Sequence, residues 1–174
     1  WVLDTEKSYP IKIVRSHFVL IHQEPDSKSD SIRDVTIGSK LAIAGEKNQW
    51  LKIVLPDGIP GWIRKSKFSE FPHYSRESAV GLIKEFLGYP YYWGGRSPKG
   101  FDCSGLIQTV FSVLGMNLPR DSWMQHRDGK YVTDIPDKAQ PGDLYVFADE
   151  GKKITHVGMA LGGSRIIHAR GFVK

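Results

Sequence analysis

Cysteine is almost absent from this chain, since Cys103 is the single one in 174 residues. One cysteine excludes an intramolecular disulfide and also excludes zinc sites built from CxxC pairs. It leaves two roles open for the thiol, an inert buried side chain or a reactive nucleophile. A lone thiol is compatible with oxidising and reducing compartments alike, so cysteine usage does not locate the protein.

Long apolar runs and blocks of basic residues are missing as well. No stretch approaches the roughly 20 apolar residues of a membrane-spanning helix, and residues 1–4 do not resemble a signal peptide. The net charge of +5 is spread along the chain rather than clustered. We therefore expect a mature or trimmed chain, a monomer, with no nucleic-acid partner and no membrane span. The mild positive balance suits an anionic substrate or an ordinary solvated surface.

What is present in the first part of the chain is a series of short β-rich runs. After a tail over residues 1–9, residues 10–70 predict a small all-β unit, with the polar segment 24–31 as a loop. Turn residues such as Pro56-Asp57-Gly58 separate the runs, and this spacing indicates a small barrel. The predicted strands cover 12–14, 17–21, 40–44, 50–55 and 61–63. For Trp50 and Trp62, packing is favoured over stacking on a ligand.

Helical patterns begin after a linker expected over 71–75. Ser75 can cap a helix over about 76–87, which Gly88 would end. A second apolar-periodic helix starts near Cys103 and ends at Gly115. The segment 116–142 is predicted to be mostly loop.

Three strands are predicted near the end of the chain, and they complete an α+β unit over residues 76–174. Their ranges are Leu144–Ala148, Ile154–Leu161 and Arg165–Ala169. The dipeptide Gly162-Gly163 predicts a hairpin between the last two.

A nucleophile and two histidines form the candidate site. A free thiol with a pKa of about 8.5 is mostly protonated at neutral pH. A helix N-terminus and an adjacent imidazolium both favour the thiolate, so we expect Cys103 as nucleophile, His156 as base and His168 as the group that orients it. The backbone N–H of Cys103 and a phenolic O–H from the Tyr91-Tyr92 loop would form the oxyanion hole.

Hairpin register decides whether the two histidines meet. A strict two-residue loop at Gly162-Gly163 would pair Leu161 with Ser164 and place His156 and His168 on opposite faces of the sheet. A three-residue loop pairs Ala160 with Ser164 and places the histidines directly opposite each other. We predict the three-residue loop, with glycine at a positive φ in a bulge.

Each candidate also has a plainer interpretation. A lone cysteine and a single histidine are each more often structural than catalytic. Cys103, His156 and His168 could together ligate a metal ion, but no further ligand cluster accompanies them, so no metal or cofactor is expected.

Five blocks of sequence, in order, resemble the signature of NlpC/P60 cysteine peptidases, and residues 10–70 resemble a bacterial SH3-like (SH3b) domain. The first block spans Tyr91 to Leu106 and includes Trp93-Gly94-Gly95 and Phe101-Asp102-Cys103-Ser104-Gly105. The others are Leu118-Pro119-Arg120-x-Ser122-x-x-Gln125, Pro141-Gly142-Asp143-Leu144, His156-Val157-Gly158 and Ile167-His168-Ala169. The most similar subgroup is that of the γ-D-glutamyl-L-diamino acid endopeptidases, also described as dipeptidyl-peptidase VI.

The resemblance implies a papain-like α+β catalytic domain preceded by a small SH3-like barrel. It implies hydrolysis of the γ-D-glutamyl to L-diamino acid bond in peptidoglycan stem peptides or murein fragments, with preference for a free N-terminal L-Ala. Cys103, His156, His168 and Tyr91 match catalytic positions. Positions matching substrate contacts are Trp93, Asp102, Ser104, Arg120 and Ser122. Asp102 suits a substrate ammonium, and it equally suits a helix cap.

Alternatives from other classes are a papain-like amidase or acyltransferase and a non-catalytic wall-binding module. The choice between Lys and diaminopimelate stays open, as does that between intact wall and released fragments. An envelope, secreted or periplasmic location is favoured over cytoplasmic recycling. The family also predicts that its domain continues beyond residue 174. In relatives with two SH3b units a residue from one of them narrows the pocket, and its equivalent is not identifiable here.

Overall fold

The computed structural model describes residues 9–68 and 73–174, and the chain divides into two compact units, Trp1–Phe71 and Pro72–Lys174. The predicted tail lies outside the described residues except for Tyr9. Of the predicted linker, residues 71 and 72 lie outside them too. No helix in the described ranges has the length and apolar character that crossing a membrane requires.

One antiparallel sheet makes up the described part of the first unit. Its strands are Ile11–Ile13 (β1), Phe18–His22 (β2), Ser31–Thr36 (β3), Lys40–Lys47 (β4), Trp50–Val54 (β5) and Pro60–Arg64 (β6). Their order across the sheet is β1-β4-β5-β6-β2-β3. Alternate residues of these strands form a buried apolar cluster that includes Ile21, Ile53 and Ile63. Period-two alternation therefore builds this core, as expected for strands with one buried face.

Two predictions for this unit have clear outcomes. Strand β3 was not predicted, because its sequence is polar and its side chains are exposed or only half-buried. Trp50 packs as expected: it is 6% exposed, with the His22 ring at 5.3 Å and the Arg64 guanidinium at 4.8 Å. Trp62 is half-buried.

Helices, a small sheet and two short ribbons form the second unit. The helices are Arg76–Lys84 (α1), Cys103–Val113 (α2) and Ser122–Asp128 (α3). The ribbon strands are Arg96–Ser97 (β7), Gly100–Phe101 (β8), Ala169–Arg170 (β12) and Phe172–Val173 (β13). The sheet strands, in the order β11-β10-β9, are Leu144–Ala148 (β9), Ile154–Gly162 (β10) and Arg165–Ile167 (β11).

Helix α2 is the buried centre of this unit. Nine of its residues are buried, it packs against β10, and Gly115 takes a φ of +84° just after its end. Helix α1 begins at a capping box in which Ser75 and Ser78 exchange hydrogen bonds of 2.8 and 3.0 Å. Both helix starts agree with the sequence prediction, although α1 ends at Lys84 rather than near residue 87.

Residues 116–142 are mostly loop, as predicted, but they also contain helix α3, which was not predicted. The buried residues of this helix are Ser122 and Gln125, both polar. An apolar period, which is the main signal for a helix in sequence, is therefore missing.

The predicted hairpin register is also wrong, although its consequence holds. Met159 pairs with Ile167, and a bulge at Leu161 then shifts the next pair to Gly162 and Arg165. The loop is thus Gly163-Ser164, and continuing the register sets His168 opposite Gly158 rather than opposite His156. This offset of two residues keeps both histidines on one face. The predicted positive φ of glycine at the bulge is confirmed by Gly162 at +100°.

Candidate active site

Two histidine rings meet on one face of the sheet that contains β10. Nε2 of His156 lies 2.8 Å from Nδ1 of His168, and the ring planes are nearly perpendicular at 80°. This hydrogen bond occupies Nε2 of His156. Nδ1 of His156 is therefore the ring nitrogen that remains for exchanging a proton with another group.

An aromatic side chain supports the His156 ring from the neighbouring strand. Phe147 on β9 pairs directly with His156 in the sheet register. The two rings lie 5.7 Å apart at 47°, and Tyr145 stacks on the other side of Phe147 at 6.4 Å. His156 is thus held by packing from Phe147 and by a hydrogen bond from His168.

Cys103 begins α2 and is 9% exposed. The backbone N–H groups of Val157 on β10, of Ser104 and of Cys103 itself favour the charged form of the thiol. Because Val157 directly follows His156, the strand that carries the base candidate acts on the nucleophile candidate through its backbone. Helix α2 also packs against β10.

Burial, rather than the helix start, dominates the ionisation of this thiol. Burial raises the pKa of Cys103, and the charge of Asp102 adds to the rise, while the backbone N–H groups oppose it without reversing it. The N–H groups at the helix start thus favour the thiolate, as expected, but burial outweighs them. The resting cysteine is a neutral thiol at neutral pH.

Both histidines are shifted toward their neutral forms. Burial is the main cause of the lowered pKa of His156, followed by the charges of His168 and Arg170. Burial also lowers the pKa of His168 most, followed by the charges of Lys174 and Arg170. The site at rest thus pairs a neutral thiol with a neutral imidazole, which can accept its proton.

Asp102 is the centre of a dense polar network. Its carboxylate accepts the N–H of Gly105 at 2.6 Å, which caps α2, and that of Gly94 at 2.9 Å. Arg120 pairs with both carboxylate oxygens and also donates to Ser104 Oγ at 3.0 Å. Burial opposes ionisation of Asp102, but the bonds from Arg120, Gly105 and Gly94 outweigh it and hold its pKa below the ordinary value. The structure therefore assigns Asp102 the helix-cap role.

Helix α3 is hydrogen-bonded both to the start of α2 and to the chain just before Arg120. The buried amide of Gln125 donates from Nε2 to the carbonyl oxygens of Ser104 at 3.1 Å and Pro119 at 2.9 Å. Ser122, 7% exposed, lies in the first turn of α3 two residues after Arg120. The Gln125 amide thus joins the backbone on either side of the contact that Arg120 makes with Asp102 and Ser104.

Aromatic residues before α2 differ in their exposure. Tyr91 is half-buried, and burial raises its pKa, with further contributions from the charges of Cys103 and Asp102. Its phenol therefore stays protonated and able to donate. Trp93 is 84% exposed, so its side chain is open to solvent.

No group of three or more histidine, cysteine, aspartate or glutamate side chains within residues 9–68 and 73–174 is arranged to hold a metal ion. The predicted site residues include a His156–His168 pair on the sheet and an Asp102–Ser104–Arg120 network at the first turn of α2. Cys103 lies between Asp102 and Ser104 in the chain.

The sequence and fold of this chain are similar to those of known proteins. The model of the NlpC/P60 family matches residues 88–173. The solved NlpC/p60 domain of the peptidoglycan hydrolase SagA is 33% identical, with a TM-score of 0.52, and the match covers 58% of this chain and 87% of that domain. The chain belongs to the NlpC/P60 family.

Two relatives extend the NlpC/P60 match over nearly the whole chain. A γ-D-glutamyl-L-lysine dipeptidyl-peptidase of Bacillus cereus is 33% identical over 168 residues, which are 92% of this chain and 50% of that protein. The crystal structure of an NlpC/P60 protein from Bacillus cereus is 30% identical, with a TM-score of 0.83, covering 95% of this chain and 57% of that one. The chain thus spans about half the length of these relatives.

Sequence reasoning missed three contributors to this NlpC/P60 site. They are the Phe147 ring against His156, the Val157 N–H that favours the thiolate and the Gln125 amide on α2. The alternation of β9 and β10 could have suggested Phe147 once the register was known. Nothing in the sequence marks a backbone N–H as a partner of the thiol.

Proposed function

We propose that this protein is a cysteine peptidase acting on peptidoglycan stem peptides. It would hydrolyse the bond between γ-D-glutamate and an L-diamino acid, either Lys or meso-diaminopimelate. The observation that carries the proposal is the packing of α2, which begins at Cys103, against β10, on which the His156 ring is hydrogen-bonded to His168. The printed activity of the Bacillus cereus relative supports the choice of bond.

In the proposed reaction His156 acts first as base. Nδ1 of the neutral imidazole takes the thiol proton as the Cys103 sulfur attacks the γ-carbonyl carbon. His168 holds the ring and stabilises the imidazolium that forms. The proton then passes from His156 to the departing amine, leaving a thioester on Cys103. Water, deprotonated by the same imidazole, cleaves the thioester and regenerates the thiol.

Charge that develops on the carbonyl oxygen needs donors. The N–H of Cys103 lies in the first turn of α2, where backbone N–H groups have no partner within the helix. The Tyr91 phenol stays protonated, since burial raises its pKa. We assign these two groups to the oxyanion hole.

The acyl side of the substrate would lie along the polar network. Arg120, Ser104 and Ser122 offer a guanidinium and two hydroxyls, which suit the free carboxylate of the γ-linked glutamate. Trp93 would cover the peptide with its exposed ring. A preference for a free N-terminal L-Ala requires Asp102 to accept an ammonium in competition with Arg120, which already pairs with both its oxygens.

We further propose that residues 10–70 form an SH3b-like domain, followed by a linker over 71–75 and a catalytic domain over 76–174. The antiparallel strands β1–β6 support the first assignment. The likeness to the Bacillus cereus structure supports it as well, because that match extends over 95% of this chain.

The decisive experiment follows cleavage of L-Ala-γ-D-Glu-L-Lys and its meso-diaminopimelate analogue by mass spectrometry, with and without N-acetylation. We expect release of the diamino acid, and loss of turnover in Cys103→Ala. Retained hydrolysis in Cys103→Ala would refute the thiol mechanism. Equal cleavage of the N-acetylated peptide would refute the free-amine preference while leaving the mechanism intact.

A further inference from the structure

Charged side chains also lie on the face of the sheet and ribbon that carries His168. The backbone N–H and C=O of His168 each bond to Lys174 at 3.0 Å, so these residues pair in the ladder that also joins Ala169 to Val173 and Arg170 to Phe172. Alternate residues of a ladder share a face. His168, Arg170, Phe172 and Lys174 therefore lie on one face, which we call the cationic face.

Side-chain contacts agree with this placement. Nζ of Lys174 lies over the Phe172 ring at 5.3 Å, and Nδ1 of His168 reaches His156 at 2.8 Å. The cationic face thus begins at the base candidate and runs outward along the ribbon of β12 and β13.

The ribbon is fixed to the loop before the nucleophile. The N–H of Tyr91 bonds to the carbonyl oxygen of Gly171 at 3.0 Å, and that of Val173 bonds to Tyr89 at 2.8 Å. Arg170 is therefore carried by a ribbon anchored beside Tyr91 rather than by a free chain end. A charge on such a ribbon holds a fixed place relative to the site.

Neither cation of this face has a carboxylate partner within the described residues. Their charges act on the histidines instead, where Arg170 lowers the pKa of both and Lys174 that of His168. Two unpaired cations beside a base disfavour its protonated form, which the reaction needs. An anion bound there would remove that penalty.

Position relative to the chemistry suggests which anion. His156 must hand its proton to the departing amine, so the departing residue lies next to His156 and hence next to the cationic face. That residue, a diamino acid, carries its α-carboxylate one carbon away from the scissile nitrogen. Diaminopimelate has a second carboxylate at its far end.

We infer that the cationic face, with Arg170 as its main ligand, binds a carboxylate of the departing diamino acid. The inference rests on the proposed function. It makes Arg170 a specificity residue on the amine side of the scissile bond and favours stem peptides that end at the diamino acid.

The test compares L-Ala-γ-D-Glu-L-Lys with its C-terminal carboxamide. The wild-type KM should be about three- to tenfold lower for the acid, in the range of a partly exposed ion pair. Arg170→Gln should bring the ratio near one, whereas Arg170→Lys should keep part of it. Arg165→Gln, which removes the same charge from the other face of β11, should keep the full ratio.

A third substrate distinguishes the two carboxylates. The diaminopimelate analogue carrying an α-carboxamide keeps only the distal carboxylate. If it binds like the acid in the wild type and loses this advantage in Arg170→Gln, the distal group is the ligand. If it binds like the carboxamide, the α-carboxylate is the ligand. Equal KM for acid and carboxamide in the wild type, or an unchanged ratio in Arg170→Gln, overturns the inference.

Binding separates this inference from the proposed hydrolysis. Calorimetric titration of Cys103→Ala, with and without Arg170→Gln, gives the Kd ratio of acid to carboxamide without turnover. If the acid binds more tightly than the carboxamide, Arg170→Gln removes this difference in Kd, and the wild type cleaves neither peptide, then the inference holds and the proposed peptidase activity is refuted. If the wild type cleaves the peptides but the acid and the carboxamide bind with equal Kd, the peptidase activity holds and the inference is refuted.

Discussion

At the scale of single residues, the ionisation of Cys103 and His156 decides how the nucleophile forms. The thiol has a raised pKa and the imidazole a lowered one, with burial as the main cause of both. Such a pair does not hold a thiolate–imidazolium at rest. In the proposed reaction the proton would move only when a substrate displaces water and presents its carbonyl.

Alkylation of Cys103 tests this resting state. Because the thiolate fraction limits the reaction, the iodoacetamide rate should rise steadily between about pH 6 and 9, approaching tenfold per unit. The rate is read from the mass shift of the single cysteine, with the urea-unfolded chain as reference for an unperturbed thiol. A rate that is constant across this range would indicate a preformed ion pair and contradict the prediction.

Phe147 offers a second prediction at this scale. Its ring supports His156 at 5.7 Å although the side chain is 41% exposed. Phe147→Ala should lower kcat by about two- to tenfold, as an aromatic pair of roughly 0.5–1.5 kcal/mol would. KM should change little.

The control for Phe147 is Tyr131→Ala, which removes an aromatic ring that is 71% exposed. It should leave kcat unchanged. Phe147→Leu should restore part of the rate, since a leucine still packs on the imidazole. If Phe147→Ala raised KM and left kcat unchanged, Phe147 would be a substrate contact rather than a support of His156.

At the scale of elements, the close approach of α2 to the glycine loop makes a stability prediction. A Cβ at Gly105 would overlap the backbone carbonyl oxygen of Gly95, whereas one at Gly81 in α1 meets nothing within 4 Å. Gly105→Ala should therefore destabilise the protein by about 2 kcal/mol or more, despite better helix propensity. Gly81→Ala should stabilise it by up to about 1 kcal/mol.

Urea unfolding followed by circular dichroism measures both glycine variants. The pair is matched in chemistry and differs in the space around each Cβ. If the two substitutions changed the free energy of unfolding equally, the loop around Gly95 would have moved away from α2 to make room for the added methyl group, and the close approach would not limit stability.

How far elements could be predicted follows from what specifies each one. Helix α2 and strand β9 were predictable because apolar spacing and caps agree with their tertiary environment. Helix α3 was not, since Gln125 faces inward to bond backbone carbonyls rather than to fill apolar space. Strand β3 was missed for the related reason that neighbouring strands, not its own pattern, define it.

The candidate site shows the same division. The pattern around Cys103 predicted a nucleophile at a helix start, and alternation put the two histidines on a face. A bulge of one residue at Leu161 changed their register, and the Gly162-Gly163 pattern does not specify where such a bulge falls. Sequence patterns do not specify side-chain rotamers. They therefore could not predict which ring nitrogens of the two histidines meet, or that Arg120 pairs with Asp102.

At the scale of the whole molecule, the two units build their cores differently. The first buries alternate residues of strands, and the second buries nearly all of one helix on a sheet. In the second unit the buried helix start also carries Asp102 and Cys103, and buried β10 carries His156. Groups that titrate are therefore tied to the elements on which folding of this unit depends.

Acid should consequently destabilise the molecule through these groups. Both histidines have a folded pKa below 6.5, so the unfolded chain binds their protons more tightly. Their contribution is intact above pH 6.5 and is lost as the pH falls below it toward the folded pKa. Asp102, with a folded pKa below 3.8, adds a second loss only below that pH.

Thermal unfolding midpoints at about pH 8 and pH 5 measure the first of these losses, because it begins as the pH falls below 6.5 and pH 5 is still above the range in which Asp102 contributes. The midpoint should be lower at the acid pH, and the double variant His156→Gln/His168→Gln should reduce the difference. His126→Gln removes an exposed histidine from α3 and should leave the difference as in the wild type. If the double variant lost as much stability in acid as the wild type, protonation of His156 and His168 would not be the cause of the loss. The titrating groups of the site would then not contribute to the stability of the fold.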